Sequence, residues 1–387
     1  MLKILVVADD LTGAAEVAGI AKLAGLSVAV VTQLGPDVLQ TYEVVVLDTH
    51  TRALSPARAA RQLAHHLDNF DAWKTTLVYK KTDSVLRGNV AAELRAIMHQ
   101  GGFTNALLLP ANPTKGRTIT QGVYYIDGMP LHETDFQQDP NQPARSSQVE
   151  QLLGEHAGAL VYYSCSEEVR EQEPDTIIMT DVETTDGLAK VVARFQDTRV
   201  LYAGGSDFFA ALLRVKLRKT LAPYDDPSPS VTDLNRCFII GSYTSSSAAT
   251  LRTLKQRGYV LHQLSGELLR TSHATGRSQW LNRALTATEP VVFARPDEPT
   301  EGAVFKEAIT NLLVAVAQRI VADASPGPHL RIEGVATASG LIRAMDWSTL
   351  RIEQVYPQGA VSLSAGAPNP LLTIKPGSYA WPEAFLQ

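Results

Sequence analysis

Leu2-Lys3-Ile4-Leu5-Val6-Val7 runs without a break into Ala8-Asp9-Asp10-Leu11-Thr12-Gly13-Ala14. A strand that apolar is covered on both faces, as in a parallel sheet flanked by helices. The residues that follow predict a helix from Ala14 to Leu23, so Asp9 and Asp10 fall in the strand-to-helix turn. In an open α/β sheet that turn lies at the carboxyl ends of the strands, where ligands bind. Two adjacent carboxylates repel each other there unless a cation or a hydroxyl-bearing ligand shares the space. A plainer role competes: either acid could cap the helix while Gly13 relaxes the turn.

The same alternation continues outward. Val28-Val31, Val44-Leu47, Leu77-Lys80 and Ala106-Leu109 read as strands, and Pro56 to Leu67 as a helix with proline in its first turn. Val123-Ile126 followed by Asp127-Gly128 reads as a hairpin. Strands separated by helices of this length predict a parallel sheet with right-handed crossovers. Leu221 to Ser230 is rich in proline and acid and reads as a linker, after which alternation resumes at Cys237-Ile240. The expectation is therefore an α/β chain of two domains, over residues 1-222 and 231-387, each a mostly parallel sheet flanked by helices. The active site is expected in the cleft between them.

Composition narrows the class. A chain of 387 residues with 45% hydrophobic and 19% charged residues is globular and too long for one ordinary core. A net charge of -5 offers no electrostatic case for nucleic acid or an anionic membrane. No apolar stretch approaches the length of a membrane span, and the start lacks the pattern of a signal peptide. Cys165 and Cys237 are the only cysteines, which gives neither a disulfide framework nor a cysteine zinc site. The cytoplasm is the expected compartment. The histidines are scattered, and no metal ligand set is predicted from them. A homo-oligomer is left open.

Three more clusters follow the acid pair at strand ends. Lys80-Lys81-Thr82-Asp83-Ser84-Val85-Leu86-Arg87-Gly88-Asn89 puts cations, a carboxylate and hydroxyls within a few residues. Such a set suits a small, anionic, hydroxylated ligand, with point charges from lysine, a fork from Arg87 and a proton acceptor in Asp83. Asp48 to Arg52 offers an arginine able to clamp a carboxylate. Pro110-Ala111-Asn112-Pro113-Thr114-Lys115-Gly116-Arg117-Thr118 is a stiff polar loop with two cations, suited to anions. Read separately, each also suits a cap or a solvated surface residue, but four at successive strand ends of one sheet are hard to attribute to capping. A receiver domain is excluded because no Met-Pro-x-x-x-Gly stretch follows Asp48, and a haloacid-dehalogenase phosphatase because Asp-x-Asp-x-Thr is absent.

Taken in order, these motifs resemble the four-carbon acid sugar kinases. The resemblance rests on Ala8-Ala14, Lys81-Asn89, Pro110-Pro113 with Gly116-Arg117-Thr118, Gly128-Thr134 and Asp139-Pro140. It implies an N-terminal acid-sugar domain, a C-terminal nucleotide domain, and transfer of the γ-phosphoryl of ATP, with Mg²⁺, to the terminal hydroxyl of threonate, erythronate or 3-oxo-tetronate. By motif, Asp10, Arg52, Lys81, Thr82, Asp83 and Ser84 contact the sugar acid. Arg52 and Lys81 would hold its carboxylate and hydroxyls, and Asp83 or Asp10 would take the proton.

The C-terminal half is less similar. Gly241-Ser242-Tyr243-Thr244-Ser245 resembles the family's Gly-Ser-x-Ser loop, which meets ATP, although a linker with an N-cap reads equally well. The family's Gly-Gly-Glu-Thr-Ala falls on Gly334-Val335-Ala336-Thr337-Ala338, and its closing glycine loop on Lys375-Pro376-Gly377-Ser378-Tyr379-Ala380. Ser242, Gly334, Val335, Ala336, Thr337 and Gly377 are thereby the implied nucleotide contacts. Val335 hinders close backbone approach to phosphate and Ala336 offers no group for a cation. Weakened nucleotide binding is expected, and a sugar-acid-binding pseudokinase is the alternative.

Overall fold

The computed structural model describes residues 2–139, 142–154, 158–163, 173–195, 198–225, 236–265, 269, 280, 291–296, 303–323, 329–366, 369–377 and 379–386. Pro140, Cys165, Ser378 and the expected linker beyond Asp225 lie outside them. The chain forms two compact units, Met1–Ala222 and Pro223–Gln387.

The first unit begins β1 (Ile4–Ala8), α1 (Leu11–Leu23), β2 (Val28–Val31), α2 (Pro36–Thr41), β3 (Val44–Asp48), α3 (Pro56–Leu67), β4 (Leu77–Lys81), α4 (Val90–Gly101) and β5 (Asn105–Leu109). A small antiparallel sheet follows, β6 (Arg117–Thr120), β7 (Val123–Ile126) and β8 (Met129–Pro130). Then come α5 (Val149–Leu153), β9 (Leu160–Tyr163), β10 (Thr176–Thr180), α6 (Thr185–Arg194), β11 (Val200–Gly204) and α7 (Ser206–Lys216). The main strands run parallel in the order β2-β3-β1-β4-β11-β5-β10-β9. Every residue of β1, β2 and β3 is buried, as their uninterrupted apolar composition requires.

Register places the motifs. Ala8 pairs with Asp48 and with Lys81, Lys81 pairs with Gly204, and Gly204 pairs with Leu109. Five adjacent parallel strands therefore end level. The chain switches from one side of β1 to the other between β3 and β4, which is the point where such sheets bind ligands. Helix α1 starts at Leu11, three residues earlier than the sequence predicts, because Asp10 caps it and accepts from the Gly13 amide at 2.7 Å. The expected hairpin at Asp127-Gly128 forms, with φ of 50° and 81°, the left-handed pair a two-residue turn demands.

The second unit contains β12 (Arg236–Ile240), α8 (Ser245–Gln256), β13 (Val260–Gln263), β14 (Val291–Ala294), α9 (Ala303–Asp323), β15 (His329–Glu333), α10 (Val335–Ala344), β16 (Thr349–Val355), β17 (Val361–Ser364) and β18 (Leu371–Lys375). Its strands lie in the order β13-β14-β12-β15-β18-β17-β16, parallel from β13 to β18, with β17 antiparallel to both neighbours. Ala294, Ile240, Glu333 and Lys375 stand at matching register positions. Here too the motif loops leave from level carboxyl ends. Phe238, Tyr259, Trp381 and Phe385 pack beneath them in a shared aromatic core.

Candidate active site

Successive residues of a strand face opposite sides, and β4 uses this to separate its lysines. Lys80 turns to α4 and pairs with Glu93 at 2.7 Å, both buried. That pair braces the helix. Lys81 turns to α1, where its ammonium lies 3.4 Å from Glu16 and donates to the Thr82 carbonyl at 2.9 Å. The other oxygen of Glu16 takes the ammonium of Lys115, which also reaches the hydroxyl of Ser206 at 3.4 Å. Burial pushes Glu16 upward, but the fields of Lys115 and Lys81 outweigh it and bring its carboxyl down to about 2.

On the β1 and β3 side, Arg52 gathers the acids. Its Nε and Nη2 each donate to Asp9 at 2.8 Å, Nη1 donates to Asp10, and Nη1 stands 3.6 Å from Asp83. All three guanidinium nitrogens face carboxylates of the chain itself. Gly88 makes the approach feasible, because a Cβ there would stand 3.0 Å from the Asp9 carboxylate and 3.4 Å from Arg52. Asn89 fixes the Arg52 loop from below by donating to the Thr51 and Leu54 carbonyls. Asp9 is held below the ordinary carboxylate range, since Arg52 and Lys80 overcome the effect of burial.

Asp83 does not begin a helix. Its carboxylate accepts the amides of Val85 and Arg87 and, bidentately, the Arg87 side chain at 2.9 Å twice. Burial raises its carboxyl, yet Arg87 and Arg52 win and hold it far below the usual range. Arg87 extends to Asp139 at 2.8 Å, and Arg87 and Arg117 both lie over the ring of Phe136. Arg117 donates to Ser84. The Thr82 hydroxyl is buried without a protein partner. Leu86 and His50 adopt φ of 63° and 51°, so both loops that shape the site hold non-glycine residues in the left-handed region.

Asp48 stands apart. Burial first, then the field of Asp10, lifts its carboxyl from 3.8 to about 7, against a hydrogen bond from the His50 amide at 3.0 Å. The structure brings together all six sequence-predicted residues of this unit, Asp10, Arg52 and Lys81 to Ser84. Glu16, Lys115, Arg117, Asp139 and Ser206 join the same polar web without having been singled out as site residues. Lys115 and Arg117 lay within the polar loop after β5, whereas Glu16 gave no signal beyond its place in a helix.

In the second unit the implied nucleotide loops converge. Gly334 has φ of 120°, which glycine tolerates, and a Cβ there would stand 3.4 Å from the Gly241 carbonyl carbon and the Ser242 amide. Thr244 caps α8, accepting from Ser247 at 3.1 Å and donating to the Gly377 carbonyl at 2.7 Å. Arg295 stacks on Tyr243 and donates to the Ser242 carbonyl at 2.5 Å. Beneath lies a buried ion pair, Lys375 and Glu333 at 3.1 Å. Ser247 and Trp381 also donate to Glu333, and Lys375 also donates to the Tyr379 carbonyl at 2.6 Å. Burial pulls the Lys375 ammonium down although Glu333 opposes it. Val335 is half-buried and Ala336 exposed, both in the first turn of α10, whose N-cap Gly334 supplies no side chain.

Among the described residues no three carboxylate, histidine or cysteine side chains group as metal ligands, and both oxygens of Glu333 are engaged. No helix among the described residues is long and apolar enough to cross a membrane.

Residues 4–212, more than half of the chain, match the family model described as the sugar-binding N-terminal domain. The D-threonate kinase of Salmonella typhimurium is 31% identical over 170 residues, which are 44% of this chain and 40% of that enzyme. That match thus spans about two fifths of the relative's length. The 3-oxo-tetronate kinase of Pectobacterium atrosepticum aligns with all of this chain and 98% of its own at 23% identity. A Haemophilus influenzae protein of known structure superposes with a TM-score of 0.66 over 98% of both chains, at 18% identity, so the likeness is one of fold.

Proposed function

The chain belongs to the four-carbon acid sugar kinase family, and on that premise we propose that it phosphorylates the terminal hydroxyl of a four-carbon sugar acid from ATP. The observation that carries this reading is the buried polar web at the level strand ends of the first unit. Asp10, Arg52, Lys81, Thr82, Asp83 and Ser84 surround a small hydroxylated acid, and the partnerless Thr82 hydroxyl awaits an oxygen of it. The terminal hydroxyl oxygen attacks the γ-phosphorus, the bond to the β-γ bridging oxygen breaks, ADP leaves, and the hydroxyl proton passes to Asp10 or Asp83.

For the nucleotide, residues 231-387 are the binding domain of this reading. Ser242, Thr337, Gly377 and the uncapped amides of Val335, Ala336 and Thr337 receive phosphate oxygens, as helix N-termini do. Mg²⁺ travels with ATP and water rather than on a protein ligand set.

Residues 1-222 serve as the acid-sugar domain. The test is ATP-dependent phosphorylation of threonate, erythronate and 3-oxo-tetronate, with each product identified by mass. One acid should be consumed in proportion to ADP formed. No transfer to any of them at millimolar ATP and Mg²⁺ would sink the proposal. The side chains at Val335 and Ala336 favour one second reading, a binder of sugar acids without turnover. It predicts calorimetric binding of the acid that ignores ATP.

A further inference from the structure

The two ends of the polar web carry different groups. Around Arg52, the carboxylates of Asp9, Asp10 and Asp83 face the guanidiniums of Arg52 and Arg87. At the other end, the ammoniums of Lys81 and Lys115 both meet the carboxylate of Glu16. The nearby Asp207 carboxylate is turned to Thr114, accepting its amide and hydroxyl at 2.8 Å each.

Asn112 lies beside that cationic end, fully buried just beyond β5. Its Oδ1 accepts the Asp207 amide at 3.0 Å and lies 3.3 Å from the Ser206 hydroxyl, which fixes which way the amide points. Its Nδ2 has no protein partner. A buried amide donor left unpaired is costly, and an acceptor oxygen relieves it. Ser206 opens α7, whose N-cap Gly205 supplies no side chain, so the helix dipole favours an anion at the same place.

We propose that the carboxylate of the sugar acid is received at the ends of β5 and β11, by Lys115, Ser206 and Asn112 Nδ2, and not by Arg52. The inference rests on the proposed kinase reading and gives the substrate a direction. Its carboxylate points to Lys115 and Asn112 and its terminal hydroxyl to Asp10 at the end of β1, with Lys81 between them beside Gly13. Neighbouring strands stand roughly 4.8 Å apart, so β1 and β11, with β4 between them, are separated by about 10 Å. A four-carbon acid is about 6 Å long by its covalent dimensions, and hydrogen bonds at each end fill the difference. Arg52 then acts as a positioning residue for Asp9 and Asp10.

The experiment pairs the acid that the wild type phosphorylates fastest with its neutral carboxamide. Binding is measured by calorimetry and KM by ADP release, in wild type, Lys115→Met, Asn112→Asp and Arg52→Gln, with circular dichroism as a check of fold. Lys115→Met should weaken the acid about 10- to 100-fold, the loss of one charge-assisted hydrogen bond, and hardly move the carboxamide. Asn112→Asp keeps the acceptor oxygen and adds a negative charge, so it should weaken the acid and spare the carboxamide. Arg52→Gln should affect both ligands alike. Equal losses for acid and carboxamide in both Lys115→Met and Asn112→Asp, or acid-specific loss only in Arg52→Gln, would overturn the inference while phosphorylation by the wild type left the kinase reading standing. Should Lys115→Met fail to fold, Asn112→Asp alone decides. If the wild type neither binds nor phosphorylates any four-carbon acid, the kinase reading fails and the inference with it.

Discussion

The two units end their parallel strands in the same way and fill those ends with opposite chemistry. In the first, ionised side chains crowd the strand ends, and several are held by unequal numbers of opposite charges. In the second, one ion pair among the described residues, Glu333 with Lys375, lies wholly buried, and glycines, hydroxyls and helix amides line the loops together with Arg295. A buried pair that is matched one to one is part of the architecture. A buried cluster whose charges do not cancel takes up a proton, as Asp48 does, or a partner of opposite charge. Charge at a strand end is therefore not in itself evidence of chemistry.

The strongest way to break the comparison is to neutralise the acids of the first unit. Asp10→Asn should fold because Asn still caps α1, and circular dichroism checks the fold of Asp83→Asn, which removes a charge bound by Arg87. One of the two should lower kcat by roughly 10²- to 10⁴-fold with a smaller change in KM, which marks the proton acceptor. Wild-type turnover in both variants would make the web as structural as the pair in the second unit.

The pair itself should yield a stability effect. Lys375→Met leaves Glu333 buried with only Ser247 and Trp381 as donors, and should cost about 3–5 kcal/mol in urea unfolding followed by tryptophan fluorescence. A cost near zero would mean that the pair is not needed where it lies.

A third test uses pH. Asp48 ionises at about 7 in the folded chain, against an ordinary 3.8. Between those values the folded state keeps a proton that the unfolded chain has lost, so this group lowers stability as pH rises, by up to about 1.4 kcal/mol per pH unit. Asp48→Asn, which retains the acceptor for the His50 amide, should therefore gain on wild type from pH 4 to 7 and level off above. Glu16, brought from 4.5 down to about 2, has the reverse sign: its stabilisation is present above 4.5 and is lost as pH falls towards 2. Thermal melts of wild type and Asp48→Asn at pH 5 and 8 check the first sign, and an unchanged difference refutes it.

The smallest effect belongs to α10. Val335→Gly combined with Ala336→Glu should tighten ATP binding up to about tenfold when Mg²⁺ is present, an effect on the scale of one hydrogen bond to a charged group. Glu at the exposed position 336 also adds roughly 0.3–1 kcal/mol of stability through the helix dipole, so affinity with and without Mg²⁺, rather than melting temperature, is the measure. No change in affinity would point to the binder.

Most of the fold was legible because buried parallel strands leave uninterrupted apolar runs, and Val28-Val31, Val44-Leu47 and Pro56-Leu67 fall where the sequence predicts. The residue types that crowd the first unit's strand ends were legible too, since Asp9-Asp10, Arg52 and Lys81 to Ser84 follow directly after those runs. Who holds whom was not. Arg52 reads as a fork for a ligand, yet it grips Asp9 and Asp10; Asp83 reads as a free proton acceptor, yet Arg87 binds it twice. Lys80 and Lys81 look interchangeable, and the pleat sends one to Glu93 and the other to Glu16. Sequence alone determined which side chains arrive at the ends of the strands, because hydrophobic patterning decides where a strand stops. Only the tertiary structure decided their partners and the balance of their charges, because the ion pairs Arg52–Asp9, Lys115–Glu16 and Lys375–Glu333 span 43, 99 and 42 positions of the chain and form only when level strands bring them together.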